Sequence, residues 1–285
     1  MNKLHHKDFS IAFKTGTDAN KSKFKKEAVQ GEMYFATDSK NLYVAETTAG
    51  ASDATLAQFD GGASFSNTYS VDFDGTDDYV STGLTTLVST WSVSAWFKPE
   101  FTGAGNYFLT GRSTQKRLGM YYSGTTYIDY YLRQSSSPFN ILNVRSTDLS
   151  VLTQWNHLVW TKDNATTTVT MYLNGSQIDQ DAGASSSASD FYPEVIGAIN
   201  TSGTFGFKGK IDEFGWWDGT ALSSSDVTAI YNSGVPDDLS SYSPTGWWRM
   251  GDDDSGAGTT ITDQGSGGND GTLTNGPTFS TDVPS

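Results

Sequence analysis

The chain has 285 residues and a formal charge of −14, from 18 Lys and Arg against 32 Asp and Glu. The acids are 26 Asp and only 6 Glu, beside 30 Gly, 7 Pro, no Cys and an aromatic share of 13%. That aromatic share excludes a disordered chain, the acidity argues against nucleic acid, whose phosphates need a basic surface, and the lack of cysteine excludes disulfides, Cys-ligated zinc and thiol chemistry.

Charge divides the chain unevenly. Residues 1–50 hold 8 Lys against 6 acids, a sum of +2, while the other 235 hold 10 basic and 26 acidic groups, a sum of −16. The division predicts two parts with different tasks: an N-terminal arm and hairpin over 1–62 and a larger domain over 63–285. Met1 to Lys7 is basic but no apolar run follows, so no secretory signal is read. No stretch approaches the roughly 20 apolar residues that span a bilayer. Lys14 to Lys26, with five lysines, reads as a loop or arm. Met33-Tyr34-Phe35 and Leu42-Tyr43-Val44 flank a polar turn, Thr37 to Asn41, which is a β-hairpin signal. A lone hairpin is marginal in water, so Met33, Tyr34, Phe35, Leu42 and Tyr43 are expected to dock on a partner: the main domain, copies of the hairpin or another protein. Residues 46–62, with Thr47, Thr48, Gly50, Gly61 and Gly62, read as a linker.

From residue 70 the pattern is strand after strand. Ser70 to Asp74 alternates, and so does Trp91 to Phe97, which places Trp91, Val93 and Ala95 on one face. Further strands are expected over 107–110, 118–122, 126–132, 140–144, 156–161, 168–173, 195–199, 210–216 and 246–250. Asn174-Gly175 is an efficient tight turn between two of them. Many short, evenly spaced strands predict an all-β sandwich or barrel, and the excess of Asp, Ser, Thr and Gly over Glu and Ala agrees, because those residues favour turns over helix interiors. One helix is expected over 223–234, with Ser223 as its cap, Asp226 in its first turn and Gly234 at its exit.

The series of segments resembles a known family. Ser70 to Val80 resembles the opening strand of laminin-G-like, concanavalin A-like lectin/glucanase domains, and Trp91 to Pro99 resembles the next. Trp155 to Trp160 and Met171 to Gly175 resemble the middle hairpin, and Gly209 to Phe214 with the helix at Leu222-Ser223 resembles the closing segment. The likeness covers residues 63–235 in the right order and implies a jelly-roll sandwich. Trp247 to Asp252 and Thr262 to Leu273 resemble a segment that normally precedes this series. Either residues 246–279 close the same sandwich, as a permuted domain, or they begin a truncated second copy. The first is favoured, because an orphan strand bearing Trp247 and Trp248 would expose a large apolar edge. Separately, Gly31 to Asp38 with Leu42-Tyr43-Val44 resembles the short anchoring segments of phage tail-fibre and head-fibre proteins.

The resemblance implies glycan binding. Sugars stack on exposed rings, and the candidates are Tyr121, Tyr122, Tyr127, Tyr130, Tyr131, Trp216 and Trp217. Adjacent strand residues face opposite ways, so one of Tyr130 and Tyr131, and one of Trp216 and Trp217, should point outward; an outward ring can equally pack under a loop or against a neighbouring subunit. A structural calcium ion is the implied cofactor, held by Asp74, Asp77, Asp78, Asp212 or Asp270, since hard cations take carboxylate and carbonyl oxygens on loops. Solvated turn aspartates are the alternative. An enzyme is not expected. Glucanases of this superfamily carry Glu-x-Asp-x-x-Glu on one strand, and nothing here matches; Asp212 and Glu213 are adjacent and should face opposite sides. His157, inside a strand, reads as a structural residue. The two resemblances together imply a virion surface protein of a phage, assembled in the host cytoplasm. Residues 1–60 would dock on other virion proteins and the sandwich, as a trimer or other symmetric oligomer, would be displayed toward host-surface glycans. A calcium-dependent carbohydrate-binding module or adhesin of a secreted system is the second expectation.

Overall fold

The computed structural model describes residues 14–16, 33–36, 42–45, 49, 56–59, 65–112, 116–134, 140–183, 190–203 and 205–285. Two compact units divide the chain, Met1–Ser66 and Asn67–Ser285.

The first unit is a small sheet of β1 (Lys14–Gly16), β2 (Met33–Ala36), β3 (Leu42–Ala45) and β4 (Leu56–Phe59), in that spatial order. β2 and β3 form the expected hairpin, with Tyr34 opposite Tyr43 and Phe35 opposite Leu42. Its turn, 37–41, lies outside the described residues. Two expectations need correcting. Lys14–Gly16 is a strand parallel to β2 rather than a loop, and the supposed linker contains β4, antiparallel to β3. A hairpin leaves two unpaired edges, and here the unit's own strands cover both. Tyr34 and Tyr43, expected to dock on a partner, are buried, and Met33 is half-buried. The side chains of Phe35 and Leu42 lie outside the described residues.

The second unit is a sandwich of two antiparallel sheets. Its strands in chain order begin with β5 (Ser70–Asp74), β6 (Tyr79–Ser81), β7 (Trp91–Pro99) and β8 (Gly105–Arg112). Next come β9 (Lys116–Tyr122), β10 (Ile128–Gln134), β11 (Asn140–Ser146) and β12 (Asn156–Asp163). The middle is completed by β13 (Thr168–Leu173), β14 (Ser176–Ala182), β15 (Val195–Ile196) and β16 (Lys208–Asp218). The last four are β17 (Gly246–Trp248), β18 (Thr260–Ile261), β19 (Gly271–Thr274) and β20 (Thr278–Ser280). One sheet has the order β11-β10-β9-β8-β15-β6-β19-β18; the other has β14-β13-β12-β7-β16-β5-β20, with β17 paired to β16.

The core lies between the sheets. Val71, Phe73, Trp91, Val93, Ala95, Phe97, Leu118, Met120, Tyr130, Trp160 and Trp248 belong to one buried cluster. Strand β7 is buried on both faces. Trp91, Val93 and Ala95 face the core as the alternation predicts, while Trp96 on the far side stacks on His157 at 4.9 Å and on Tyr231 at 5.8 Å. Tyr231 ends α1 (Ser224–Tyr231), so the helix roofs that sheet. Ser223 and Asp226 make a reciprocal capping box at its start. Its exit is Asn232, in the left-handed conformation with φ 45°, and not Gly234 as expected. His157 is fully buried against Ser94 Oγ at 2.7 Å, and burial lowers its pKa to about 3. It is a structural residue.

Residues 246–280 complete the sandwich rather than begin a second one. β19 pairs with β6, β20 with β5, and β17 with β16. Beyond β20, Asp282 takes hydrogen bonds from Lys98 Nζ at 2.8 Å and Trp155 Nε1 at 3.0 Å, and Ser70 Oγ donates to its carbonyl at 2.8 Å. Among the described residues, no helix is long and apolar enough to cross a membrane.

Candidate functional site

On the face of β8, β9 and β10 that points away from the core lies a cleft of about 190 Å³, lined by Asn106, Phe108, Arg117, Arg133, Ile199 and Phe205. Local sequence builds it. Alternation along β8 puts Tyr107 and Leu109 on the core side and Phe108 in a second cluster with Tyr131 and Ile199 on the opposite face, and a register shift lies between Phe108 and Thr110. Gly119 gives Phe108 room: a Cβ there would sit 2.8 Å from the Phe108 ring and 2.5 Å from the Tyr107 carbonyl. A loop closes over the sheet, tied at its base by Gly197 N–H to Leu109 O at 2.9 Å and Phe207 N–H to Gly197 O at 2.6 Å. It brings Ile199 onto the cluster and holds up Phe205.

Phe205 stands out. It is 56% exposed, the one aromatic among the exposed large apolar side chains of the described residues. Its φ is +55°, a left-handed conformation that a bulky side chain adopts only at a cost. Its ring meets Phe108 edge-on at 6.2 Å. The other wall is cationic. Arg133 stands directly opposite Arg117 across the β9–β10 ladder. Arg133 lies over the Tyr131 ring at 4.1 Å, and Arg117 lies 5.8 Å from the Phe108 ring. Asn106 Oδ1 accepts from Arg133 Nη1 at 3.4 Å and from the Tyr131 hydroxyl at 3.0 Å, and that hydroxyl is also 3.1 Å from the Met120 carbonyl. Burial lowers the Arg117 pKa, and the Arg133 charge pushes it the same way.

The structure corrects most of the expected glycan-stacking residues. Tyr130 and Trp216 belong to the main core, Trp216 stacked on Trp91 at 6.3 Å. Trp217 faces outward but is covered, its indole donating to the Tyr242 carbonyl at 2.8 Å. Tyr131 also faces away from the core, yet it is fully buried as the floor beneath Arg133. Alternation does turn one residue of each pair outward, but the segment at Tyr242 covers Trp217 on one sheet and Arg133 covers Tyr131 on the other. Tyr121 is half-buried beside Tyr127 at 6.1 Å, next to the Phe108–Tyr131–Ile199 cluster. Asn106, Arg117, Arg133 and Phe205 were missed by the sequence reading. A signal existed: two arginines among only ten basic residues beyond residue 50, and a phenylalanine in a Gly-rich stretch.

The acidic candidates separate into different settings. Carboxylate oxygens of Asp74, Asp77 and Asp78 lie within 4.8 Å of one another on the β5–β6 turn. Asp78 Oδ2 accepts the Asp74 N–H at 2.9 Å and Asp74 Oδ1 the Thr76 N–H at 2.6 Å. Burial raises the Asp78 pKa, and repulsion from Asp74 and Asp77 adds to it. Three converging carboxylates on a loop fit a hard cation in donor type. Asp270 is elsewhere, accepting the Asp263 N–H at 3.0 Å.

Asp212 corrects a further expectation. Adjacent strand residues should diverge, but a register shift between Asp212 and Gly215, with Glu213 at φ +45°, turns both carboxylates to one place. They converge with Asp252, again within 4.8 Å. Arg249 already supplies the positive charge, with Nε 3.1 Å from Glu213 Oε1 and Nη2 3.4 Å from Asp252 Oδ2. Trp247 Nε1 donates to Glu213 Oε2 at 2.6 Å and Asn67 Nδ2 to Asp212 Oδ2 at 2.9 Å. Burial raises both pKa values, that of Glu213 to about 7 despite Arg249 and Trp247. Asp212 is fully buried and Glu213 is 2% exposed, so this carboxylate pair is closed to a sugar.

Comparison with known proteins places these features. A laminin-G-type family model, described as the concanavalin A-like lectin/glucanases superfamily, matches residues 74–228, just over half of the chain. No curated protein matches. Among solved structures, a protein from Bacteroides ovatus described as a candidate carbohydrate binding protein superposes with a TM-score of 0.62 at 19% identity, over 90% of this chain and 71% of that one. A heptameric SAP-like pentraxin from Limulus polyphemus gives 0.48 at 20% identity, over 59% and 84%. The sialidase CBM40 of Ruminococcus gnavus bound to α2,3-sialyllactose gives 0.46 at 12% identity, over 59% and 100%.

Proposed function

The chain belongs to the concanavalin A-like lectin/glucanases superfamily, and from that premise we propose that it is a non-catalytic carbohydrate-binding protein whose site is the cleft under Phe205. The observation that carries this reading is the cleft itself. An exposed ring held in a strained conformation stands beside convergent polar groups, the combination that a ligand site requires. The Bacteroides ovatus structure, described as a candidate carbohydrate binding protein, supports the reading. The closed-off Asp212–Glu213 pair supports the absence of hydrolysis. Screening the full chain on a broad glycan array tests it: binding is expected and is weakened in Phe205→Ala. A chain that binds no glycan, with or without calcium, sinks the reading. Calcium is proposed at Asp74, Asp77 and Asp78 as a structural ion.

The N-terminal unit gives this proposal a second part. Its separate sheet and its share of the cations, 8 of the chain's 18 Lys and Arg within residues 1–50, support a role as an attachment module, and a phage particle is the attachment site that its hairpin motif suggests. Removing residues 1–62 should leave a folded sandwich that no longer joins particles. Normal incorporation of the truncated protein would refute the docking role.

A further inference from the structure

The sheet face that carries the cleft continues beyond it. Strand pairing sets a row of side chains across four strands: Asn106 on β8 stands opposite Tyr121 on β9, Tyr121 opposite Asp129 on β10, and Asp129 opposite Arg145 on β11. Alternation puts all four on the side of Phe108 and Tyr131, away from the core. Asn106 also lines the cleft, so cleft and row share a residue, and Tyr121 packs against the Phe108–Tyr131–Ile199 cluster. The row is open at its far end, where the Arg145 side chain is 55% exposed. Rotamer entropy normally leaves an exposed arginine unordered, yet this one is fixed twice. Its Nε and Nη2 meet Asp129 Oδ1 and Oδ2 at 2.7 and 2.9 Å, and its guanidinium carbon lies 3.6 Å from the centre of the Tyr127 ring. Tyr127 is placed in turn by Ser123 Oγ, which accepts the Thr126 and Tyr127 N–H groups at 2.9 and 2.8 Å.

We propose that this row is a second binding subsite, and that the protein takes a neutral oligosaccharide: its terminal sugar in the cleft against Phe205, its following units across Asn106 onto Tyr121 and the Asp129–Arg145 pair. This rests on the carbohydrate-binding reading above and adds the length and chemical class of the ligand. The cleft volume, about 190 Å³, is below the roughly 300–1,000 Å³ of sites for drug-sized ligands, so it holds one sugar. The four residues of β9 from Arg117, in the cleft wall, to Tyr121 add a run of about 13 Å along the same face. A sugar hydroxyl both donates and accepts, and the Asp129–Arg145 pair offers both. Asp129 uses two of the five guanidinium N–H donors, which leaves three, and each carboxylate oxygen keeps a lone pair. Because Asp129 answers the Arg145 charge, this end of the site reads hydroxyls rather than an acid. Its geometry is set before a ligand arrives, which lowers the ordering cost of binding.

The test is binding by the full-length protein to four neutral series of one to six sugars: cello-, malto- and chito-oligosaccharides and N-acetyllactosamine repeats. In at least one series affinity should climb beyond the disaccharide and then level off. Arg145→Ala should weaken the longer members roughly tenfold or more, the scale of a hydrogen bond to a charged group, and Tyr121→Ala should act in the same direction; both should leave the shortest members unchanged, whereas Phe205→Ala should weaken all lengths. Asn143→Trp guards against loss of folding. Asn143 is exposed on β11 two residues from Arg145, so its replacement obstructs the row without removing a contact of it, and this variant should lose the length dependence while melting like the wild type. A disaccharide bound as tightly as the hexasaccharide, or Arg145→Ala and Asn143→Trp without effect on any length, would overturn the second subsite and leave the cleft reading standing. So would failure of all four series beside an acidic glycan bound on the array. Loss of binding in Tyr121→Ala but not in Phe205→Ala would overturn the continuity of row and cleft. A chain that binds neither these series nor any array glycan would overturn both readings.

Discussion

The sandwich carries two triads of carboxylates that look alike as lists of atoms and differ in everything around them. Asp74, Asp77 and Asp78 sit on a turn, two of them exposed. Asp212, Glu213 and Asp252 sit within the protein around Arg249. In the buried triad the protein provides its own cation and nearly every oxygen has a donor, so the cluster is a structural keystone. On the turn the Asp74 and Asp78 carboxylates accept backbone N–H groups, and Lys208 Nζ reaches the Asp74 carbonyl at 3.2 Å rather than a carboxylate, which leaves room for an external cation. The difference teaches that convergence of acids is not by itself a site; the counter-charge decides.

The largest effect should come from Arg249. Its replacement by Met leaves Glu213 and Asp252 without the guanidinium and should cost roughly 3–5 kcal/mol of stability, read by urea denaturation. A cost below about 1 kcal/mol, the scale of an exposed pair, would break the contrast between the triads. The next effect is on pH dependence. Between 4.5, the ordinary glutamate value, and about 7, the folded protein holds a proton on Glu213 that the unfolded chain has lost. Stability contributed by this group is therefore present below 4.5 and is lost as pH rises through about 7; Asp212, also raised, acts in the same sense. Thermal melting across that range should show the decline, and Glu213→Gln should flatten it. An unchanged slope in that variant would remove Glu213 as its source.

Smaller effects belong to the turn. Calcium at ten times its dissociation constant should stabilise the protein by about 1.4 kcal/mol, and Asp77→Asn with Asp78→Asn should abolish the gain. A calcium-dependent shift that persists in that double variant would move the ion elsewhere. Without calcium, Asp77→Asn alone should change stability by no more than about 0.5 kcal/mol, as an exposed substitution; a cost well beyond that would give Asp77 a structural role.

Period-two alternation made the architecture legible. Trp91, Val93 and Ala95 point where alternation places them, and the Ser223–Asp226 capping box starts the helix where its residue types predict. Alternation failed where backbone irregularity or a covering layer intervened. The bulge at Glu213 turned two acids together, and the outer cluster around Phe108 is completed by Ile199 from a distant loop, which no periodicity announces. Trp217 and Tyr131 point outward as alternation allows, but a strand seen alone cannot show what covers its outer face. The cleft draws on three consecutive strands and a loop some 65 residues further along the chain, and the facing of Arg117 and Arg133 depends on register, which sequence separation does not reveal.

The pairing of β20 with β5 and of β19 with β6 has a consequence for how the protein is made. The strands that begin the sandwich meet the strands that finish it, in both sheets. A nascent chain emerging from a ribosome must therefore hold Val71 and Phe73 on strands without their outer neighbours for some two hundred residues of synthesis. Products interrupted before residue 271 leave both seams open and Asp282 absent from Lys98 and Trp155. Such fragments present exposed strand edges that proteases and chaperones can recognise.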